Sequence, residues 1–197
     1  MIELHAGSAL IVIDFQKGFD DPSWGRRNNP DCEQNVAKLV DVWRDLGWPV
    51  VFVRHDSREL GSPLRPGQPG NEFKSVVTGE PILLVTKHVN SAFYGRPSLQ
   101  KWLDDNWIGV VVLSGIQTNI CVETTARMAG NLGYTTYVAL DATHTFDRNS
   151  ADGTVIPAEE LARVTAANLN GEFAVVTSTT EIVGAVRAPE GAVCTRL

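Results

Sequence analysis

Cys121 sits in the stretch Leu113–Met128, LSGIQTNICVETTARM, and a cysteine thiolate is an intrinsically strong nucleophile toward carbonyl carbon. The apolar run Val110–Leu113 gives way to Ser114-Gly115, and helical spacing starts near Asn119. Cys121, Thr125, Met128 and Leu132 fall on one stripe of that helix, with Val122, Ala126 and Ala129 on a neighbouring one. Thr118 is the expected N-cap, which puts Cys121 in the first turn. There the helix dipole and unpaired N–H groups favour the thiolate. The stretch by itself fits a small buried cysteine with no chemistry better than it fits a nucleophile, since most helix cysteines are inert.

The elements that must position this thiol are legible from apolar runs and their polar ends. Ala9–Ile13, Pro49–Val53, Ile82–Val85, Ile108–Leu113, Thr135–Leu140 and Phe173–Val176 read as short strands. Continuous apolar strands of this kind are buried on both faces, as in a parallel sheet. Helices are expected from Asp31, as cap, to about Gly47, from Pro97 to about Asn106, after Thr118, from Pro157 to about Leu169, and from Thr180. Strand and helix alternate throughout, so the expected fold is a three-layer, Rossmann-like α/β architecture: a six-stranded, mainly parallel sheet with helices on both faces. The connection Asp56–Glu80, with its prolines and glycines, has the length of a functional or lid-like loop.

In open α/β sheets a ligand sits outside the carboxyl ends of the strands. The polar residues at those ends are Asp14, His55, Lys87, the turn Ser114–Cys121 and Asp141. An acid, a cation and a thiol, distant in sequence, are thereby brought to one edge. The turn after the first strand, DFQKGF, lacks the glycine spacing of a dinucleotide site.

Composition narrows the class. A chain of 197 residues suits a single domain spanning 1–197 with an ordinary core, at 43% hydrophobic and 20% charged residues. The net charge of −6 argues against nucleic-acid or anionic-membrane partners. No apolar run has bilayer length, and MIELHAGS does not read as a signal peptide. Cys32, Cys121 and Cys194 are too few and too scattered for a disulfide framework, so a reducing cytoplasm is the expected setting.

Four blocks carry a resemblance: VIDFQKGF at 12–19, TKHVNSAFYG at 86–95, SGIQTNICVETTARMA at 114–129 and DATHTF at 141–146. In this order, and on the strand ends, the chain from Ala9 to Ile182 resembles the isochorismatase-like cysteine hydrolase family. The resemblance implies a catalytic triad of Asp14, Lys87 and Cys121 acting on an amide or ureido carbonyl through a thioester. It also implies a cis peptide at Ile116-Gln117 and an oxyanion site built from the backbone N–H groups of Gln117 and Cys121. If Thr118 capped Cys121 that donor would be consumed, so the cap is expected to engage Ile120. Asp14 is expected to shuttle the proton, with Lys87 holding it ionised.

The chain departs from the metal-bearing nicotinamidases of that family. The region after the second strand reads RHDSRELGSP, with no histidine between His55 and His88. Neighbouring strand residues point to opposite faces, so neither His55 with Asp56 nor Lys87 with His88 suits one site. The expectation is no metal, no cofactor and no nicotinamidase activity. Expected substrate contacts are Phe19, Trp24, His55, Phe93, Tyr94, Gln117 and Phe146, with His144 a second pocket-lining candidate among the histidines. Asn90 and Ser91 are expected to orient the Lys87 turn. Packing under long loops is an equal reading for Trp24 and Tyr94. The alternatives are vinyl ether hydrolysis of the isochorismatase type, or a pocket protein with an oxidisable Cys121. The partner is expected to be a small molecule, and the resemblance implies a homo-oligomer.

Overall fold

Strand β1, Ala9–Ile13, is apolar at every position and fully buried, because both of its faces are covered. Ala9, Ile11 and Ile13 point to one side and Leu10 and Val12 to the other, the period-two alternation of a strand. The structure, a computed structural model, describes residues 2–187. Cys194 and part of the expected 1–197 domain therefore lie outside the described residues.

The chain continues through α1 (Cys32–Asp45), β2 (Val50–His55), β3 (Leu83–Lys87), α2 (Leu99–Asp105) and β4 (Val110–Ile116). A π-helical turn, Thr118–Val122, leads into α3 (Glu123–Asn131). Then come β5 (Thr135–His144), a small hairpin of β6 (Arg148–Asn149) and β7 (Val155–Ile156), α4 (Ala158–Leu169), β8 (Val175–Thr177) and α5 (Thr179–Arg187). The main sheet has six strands in the order β3-β2-β1-β4-β5-β8, every neighbouring pair parallel. Leu39, Val40 and Trp43 of α1 and Ile182 of α5 pack with Leu10, Val12 and Phe52 on one face. Leu103 of α2, Ala126 and Ala129 of α3 and Leu169 of α4 pack with Ile11, Val53 and Leu113 on the other. This is the expected three-layer α/β fold.

The order dictates where a ligand fits. The chain moves outward from β1 to β3, then crosses back to place β4 on the other side of β1. The crevice at this reversal opens at the carboxyl ends of β1 and β4, which are followed by Asp14 and the Cys121 turn.

Several local expectations are corrected. Asp141 does not end the fifth strand. After a register shift, Thr143 and His144 pair with Gly115 and Ile116, which extends both strands. The Asp141 carboxylate instead accepts the N–H of Thr179, 2.7 Å away, and caps α5. Asp31 makes no side-chain cap at α1, and α2 opens at Leu99 rather than Pro97, with Ser98 as its cap accepting from Lys101 N. Thr118 is no N-cap either. Its hydroxyl lies 2.8 Å from that of Thr143, and the N–H groups of Ile120 and Val122 both go to the Gln117 carbonyl. The i→i+5 bond from Val122 marks a π turn, a widening that sequence periodicity does not reveal.

Candidate active site

Asp14 leaves β1 with φ of 50°, a left-handed conformation that a carboxylate residue tolerates better than most, while its N–H is held by the Val53 carbonyl at 2.8 Å. Beside it, Gly115 of β4 has φ of 121°, and a Cβ there would lie 2.0 Å from the Ile13 carbonyl oxygen. Only glycine lets β4 approach β1 this closely. The next peptide bond, Ile116–Gln117, is cis. Lys87 is the last residue of β3 and sits in register with His55 of β2. Cys121 is carried by the π turn after β4.

These elements converge on the Lys87 ammonium. Its Nζ is 2.5 Å from Asp14 Oδ2, 3.2 Å from His55 Nδ1 and 3.4 Å from Cys121 Sγ. An ammonium has three protons, and here each has an acceptor. The Lys87 and Asp14 side chains are fully buried. The second carboxylate oxygen, Asp14 Oδ1, is buried without a hydrogen-bond partner. Among the described residues, then, one face of the carboxylate is committed to Lys87 and the other is left to receive a proton.

The electrostatics follow from burial and these neighbours. Burial pushes the Cys121 thiol well above the usual cysteine range, and the Asp14 carboxylate pushes it further, against the opposing effect of Lys87. Burial thus outweighs the first-turn effect that favours the thiolate. For Lys87, burial alone acts to lower the pKa, but Asp14 and Cys121 together raise it above the usual lysine range. His55 is lowered by burial and then by Lys87, so it stays neutral and accepts from the ammonium through Nδ1.

A cavity of about 380 Å³ opens over the thiol, lined among others by Asp14, Phe19, Trp24, His55, Gln117 and Cys121. Phe19, Trp24 and Phe146 form an aromatic cluster, with centroids 5.1 Å apart for Phe19–Trp24 and 5.5 Å for Trp24–Phe146. Phe146 faces an adjoining hollow that shares Trp24 and Gln117 with the first. Two expected contacts are corrected. Phe93, partly buried, stacks on Tyr134 at 5.8 Å, and Tyr94 is 70% exposed in a separate hollow. The short 3-10 turn Ala92–Tyr94 swings both away from the sulfur. His144 is fully buried edge-on to Phe146 and lines none of these cavities; burial lowers its pKa to about 3.

Sequence reasoning missed other residues here. Asn90 lines the cavity, its Oδ1 3.9 Å from Cys121 Sγ, and Ser91 caps the turn at Phe93. Buried Gln16 donates to the His55 and Asn71 carbonyls at 3.0 Å each and accepts the His55 N–H at 2.8 Å. Asn71 in turn holds Asp56 and the Leu64 carbonyl, tying the 56–80 loop to the strand ends. Ser57, Glu59, Ser62 and Leu64 of that loop line the cavity, as does the exposed Arg148 of the β6–β7 hairpin. Gln16 lay in a quoted motif; Arg148 had no sequence signal, since only the fold brings the hairpin to the crevice.

Among the described residues one group of possible metal ligands converges, Asp14, His55 and Cys121, with ligand atoms within 4.8 Å of one another. The separation of His55 from Asp56 hides this trio from a reading of neighbouring residues. The trio does not fit a metal, because the Lys87 ammonium donates to all three side chains and already supplies the positive charge. Asp56 turns away to Arg54 at 2.8 Å, and His88 donates to the Asp56 carbonyl at 2.6 Å.

The family profile of the isochorismatase domain matches residues 8–181, and the chain belongs to this family of hydrolases. The Bacillus subtilis isochorismatase family protein YrdC is 39% identical over 176 residues, covering 89% of this chain and 94% of that protein. Nicotinamidase 3 of Arabidopsis thaliana is 31% identical over 167 residues, covering 76% of this chain and 79% of its own. A solved structure from Chromobacterium violaceum, described as a hydrolase of the isochorismatase family, superimposes with a TM-score of 0.88 at 39% identity, covering 94% of this chain and 96% of the other.

Proposed function

We propose that the protein hydrolyses a small amide or ureido carbon–nitrogen bond, with Cys121 as nucleophile, Asp14 as proton carrier and Lys87 as the charge that lets them exchange roles. The observation that carries this reading is the Lys87 ammonium between the Asp14 carboxylate and the Cys121 sulfur at the base of a cavity. The thiol proton moves to Asp14 Oδ1, and the ammonium then pairs with the thiolate instead of the carboxylate. Net charge in the buried site is unchanged, so the transfer avoids creating an unpaired ion in a low-dielectric interior.

The thiolate attacks the carbonyl carbon, whose π electrons move to oxygen, and backbone N–H groups at Gln117 and Cys121 are the proposed donors to that oxyanion. Collapse breaks the C–N bond, and the amine departs with the proton from Asp14. Water then gives a proton to Asp14 and attacks the thioester. The acid product leaves, and the sulfur recovers the proton held by Asp14. Phe19, Trp24, His55 and Gln117 bound the substrate, with Phe146 behind Trp24.

Ether hydrolysis has no use for a buried thiol held against an acid and an ammonium. A redox sensor calls for an accessible, low-pKa cysteine, and Cys121 is only 6% exposed with its pKa raised. The similarity to a nicotinamidase supports carbon–nitrogen chemistry, without making nicotinamide the substrate. The proposal takes the small molecule as sole partner, besides further copies of the chain in a cytoplasmic homo-oligomer; the net charge of −6 argues against nucleic-acid partners. Among the described residues no helix is long and apolar enough to cross a membrane. Ammonia release over a panel of small amides and ureas tests the function. Turnover by the wild type that vanishes in a folded Cys121→Ala variant supports it, and turnover equal in both overturns it.

A further inference from the structure

Lys87 has a third partner that the proton exchange between Asp14 and Cys121 does not use. Its Nζ lies 3.2 Å from His55 Nδ1, beside its contacts to the carboxylate and the sulfur. The histidine is held in place along its backbone. Gln16, fully buried on the same turn as Asp14, accepts the His55 N–H at 2.8 Å and donates to the His55 carbonyl at 3.0 Å. Asn71 donates to that carbonyl as well, at 3.2 Å, and the pairing of β2 with β3 sets His55 in register with Lys87. The turn after β1 therefore reaches the ammonium twice, directly through Asp14 and through Gln16 by way of His55.

A neutral ring suits this place for a physical reason. The Lys87 ammonium is buried, so a proton on it without an acceptor would leave a charged group's hydrogen bond unmade. A carboxylate in the position of His55 would compete with the thiolate for the cation. Neutral imidazole accepts the proton and adds no charge. Because Nδ1 is the acceptor, the ring proton sits on Nε2. The charged and titratable groups around the ring are Lys87 and His88 from the end of β3, Asp14 from the end of β1, Cys121 from the π turn and Asp56 next in the chain. Glu59 and Arg148 line the same cavity. Burial and then Lys87 oppose protonation of the ring, Asp14 and Asp56 favour it, and the balance lies below the usual histidine range.

We propose that His55 is the positioning residue of Lys87, a neutral acceptor that keeps the other two ammonium protons on Asp14 and Cys121 and that disables the site when it takes up a proton. The role rests on the amidohydrolase reading and adds to it a residue that acts through the lysine. Protonation turns Nδ1 from acceptor to donor and sets an imidazolium against the ammonium, which breaks the three-way contact. Activity is then expected to fall as the pH drops through the pKa of His55, below 6.5.

The pH profile of kcat/KM for ammonia release by the full-length protein tests this. His55→Asn places a non-titrating amide oxygen near the Nδ1 position. It is expected to keep part of the rate at neutral pH and to lose the acid limb that the wild type shows below 6.5. His55→Phe keeps a ring but no acceptor, and is expected to lose roughly 10- to 100-fold in kcat, the reach of one hydrogen bond to a charged group. An acid limb unchanged in His55→Asn overturns the proposal, and so does a kcat for His55→Phe no lower than that of His55→Asn. Ring-nitrogen NMR needs no substrate. The signal missing from His55→Asn should show the proton on Nε2 and titrate below 6.5. Its pKa should rise in Lys87→Met or, where that variant does not fold, in Lys87→Met combined with Asp14→Asn. A proton on Nδ1, or a titration indifferent to the loss of Lys87, overturns the proposal. The expected NMR behaviour without ammonia release from any amide or urea removes the hydrolase reading and leaves the hold of His55 on Lys87 standing.

Discussion

Replacing Lys87 by methionine keeps most of the side-chain volume and removes the charge on which the proposed chemistry turns. The Asp14 carboxylate, fully buried and 2.5 Å from the ammonium, would lose its ionic partner, and His55 and Cys121 would lose a donor. At an effective dielectric of about 20 the attraction at this separation is ~7 kcal/mol, of which desolvation of the two ions takes back several. Breaking one side of such a pair costs about 3–5 kcal/mol, because the survivor stays buried and unmatched. The same loss is expected for Asp14→Asn, which strands the ammonium. The double variant strands neither. Its cost is expected to fall near that of one single variant, about 3–5 kcal/mol, against about 6–10 for the sum of the two. Urea unfolding at fixed protein concentration, extrapolated linearly, gives all four corners of the cycle. Additive losses, or single losses under about 1 kcal/mol, would refute the view that an ionised, water-free pair sits under the sulfur.

Other expectations are simpler to test. Gly115→Ala should destabilise by more than about 2 kcal/mol in the same urea assay and disrupt turnover, since its Cβ would lie 2.0 Å from the Ile13 oxygen at a φ of 121°. His144 should make the fold acid-sensitive: its pKa is near 3 when folded against 6.5 otherwise, so as pH falls below 6.5 the unfolded chain takes up the proton first and stability declines. The slope is at most about 1.4 kcal/mol per pH unit, and His144→Leu should flatten it between about pH 6.5 and 5, above the range where carboxylates dominate. Iodoacetamide should label Cys121, which lines a cavity, faster than fully buried Cys32. Equal labelling of both cysteines by mass spectrometry would count against this.

How much of this was readable from sequence depended on whether a feature is local. The strands were legible because residues such as Ile11, Val53 and Val112 are buried on both faces of a parallel sheet and leave continuous apolar runs. Asp14, Lys87 and Cys121 were found through the strand-end rule together with the resemblance, and the fold does bring them together. What failed needed tertiary information. Asp141 looked like a strand end because its carboxylate is polar, yet its real partner, Thr179, lies 38 residues away. The helix start favours a Cys121 thiolate, and burial, which no local pattern reports, outweighs it. Proximity to Lys87 in sequence suggests that Phe93 and Tyr94 line the site, but Phe93 stacks on Tyr134 and Tyr94 is exposed. The π turn likewise rests on the Gln117 carbonyl accepting twice, which spacing of side chains does not encode.

The central claim is that the Cys121 sulfur forms a covalent bond to the substrate's carbonyl carbon. Rapid acid quench during turnover of an amide or urea identified by the ammonia screen, followed by peptide mass spectrometry, addresses it directly. The result expected is an acyl mass on the peptide containing Cys121, absent from Cys121→Ala and from a sample without substrate. Steady ammonia release with an unmodified Cys121 peptide, and undiminished in Cys121→Ala, would contradict it.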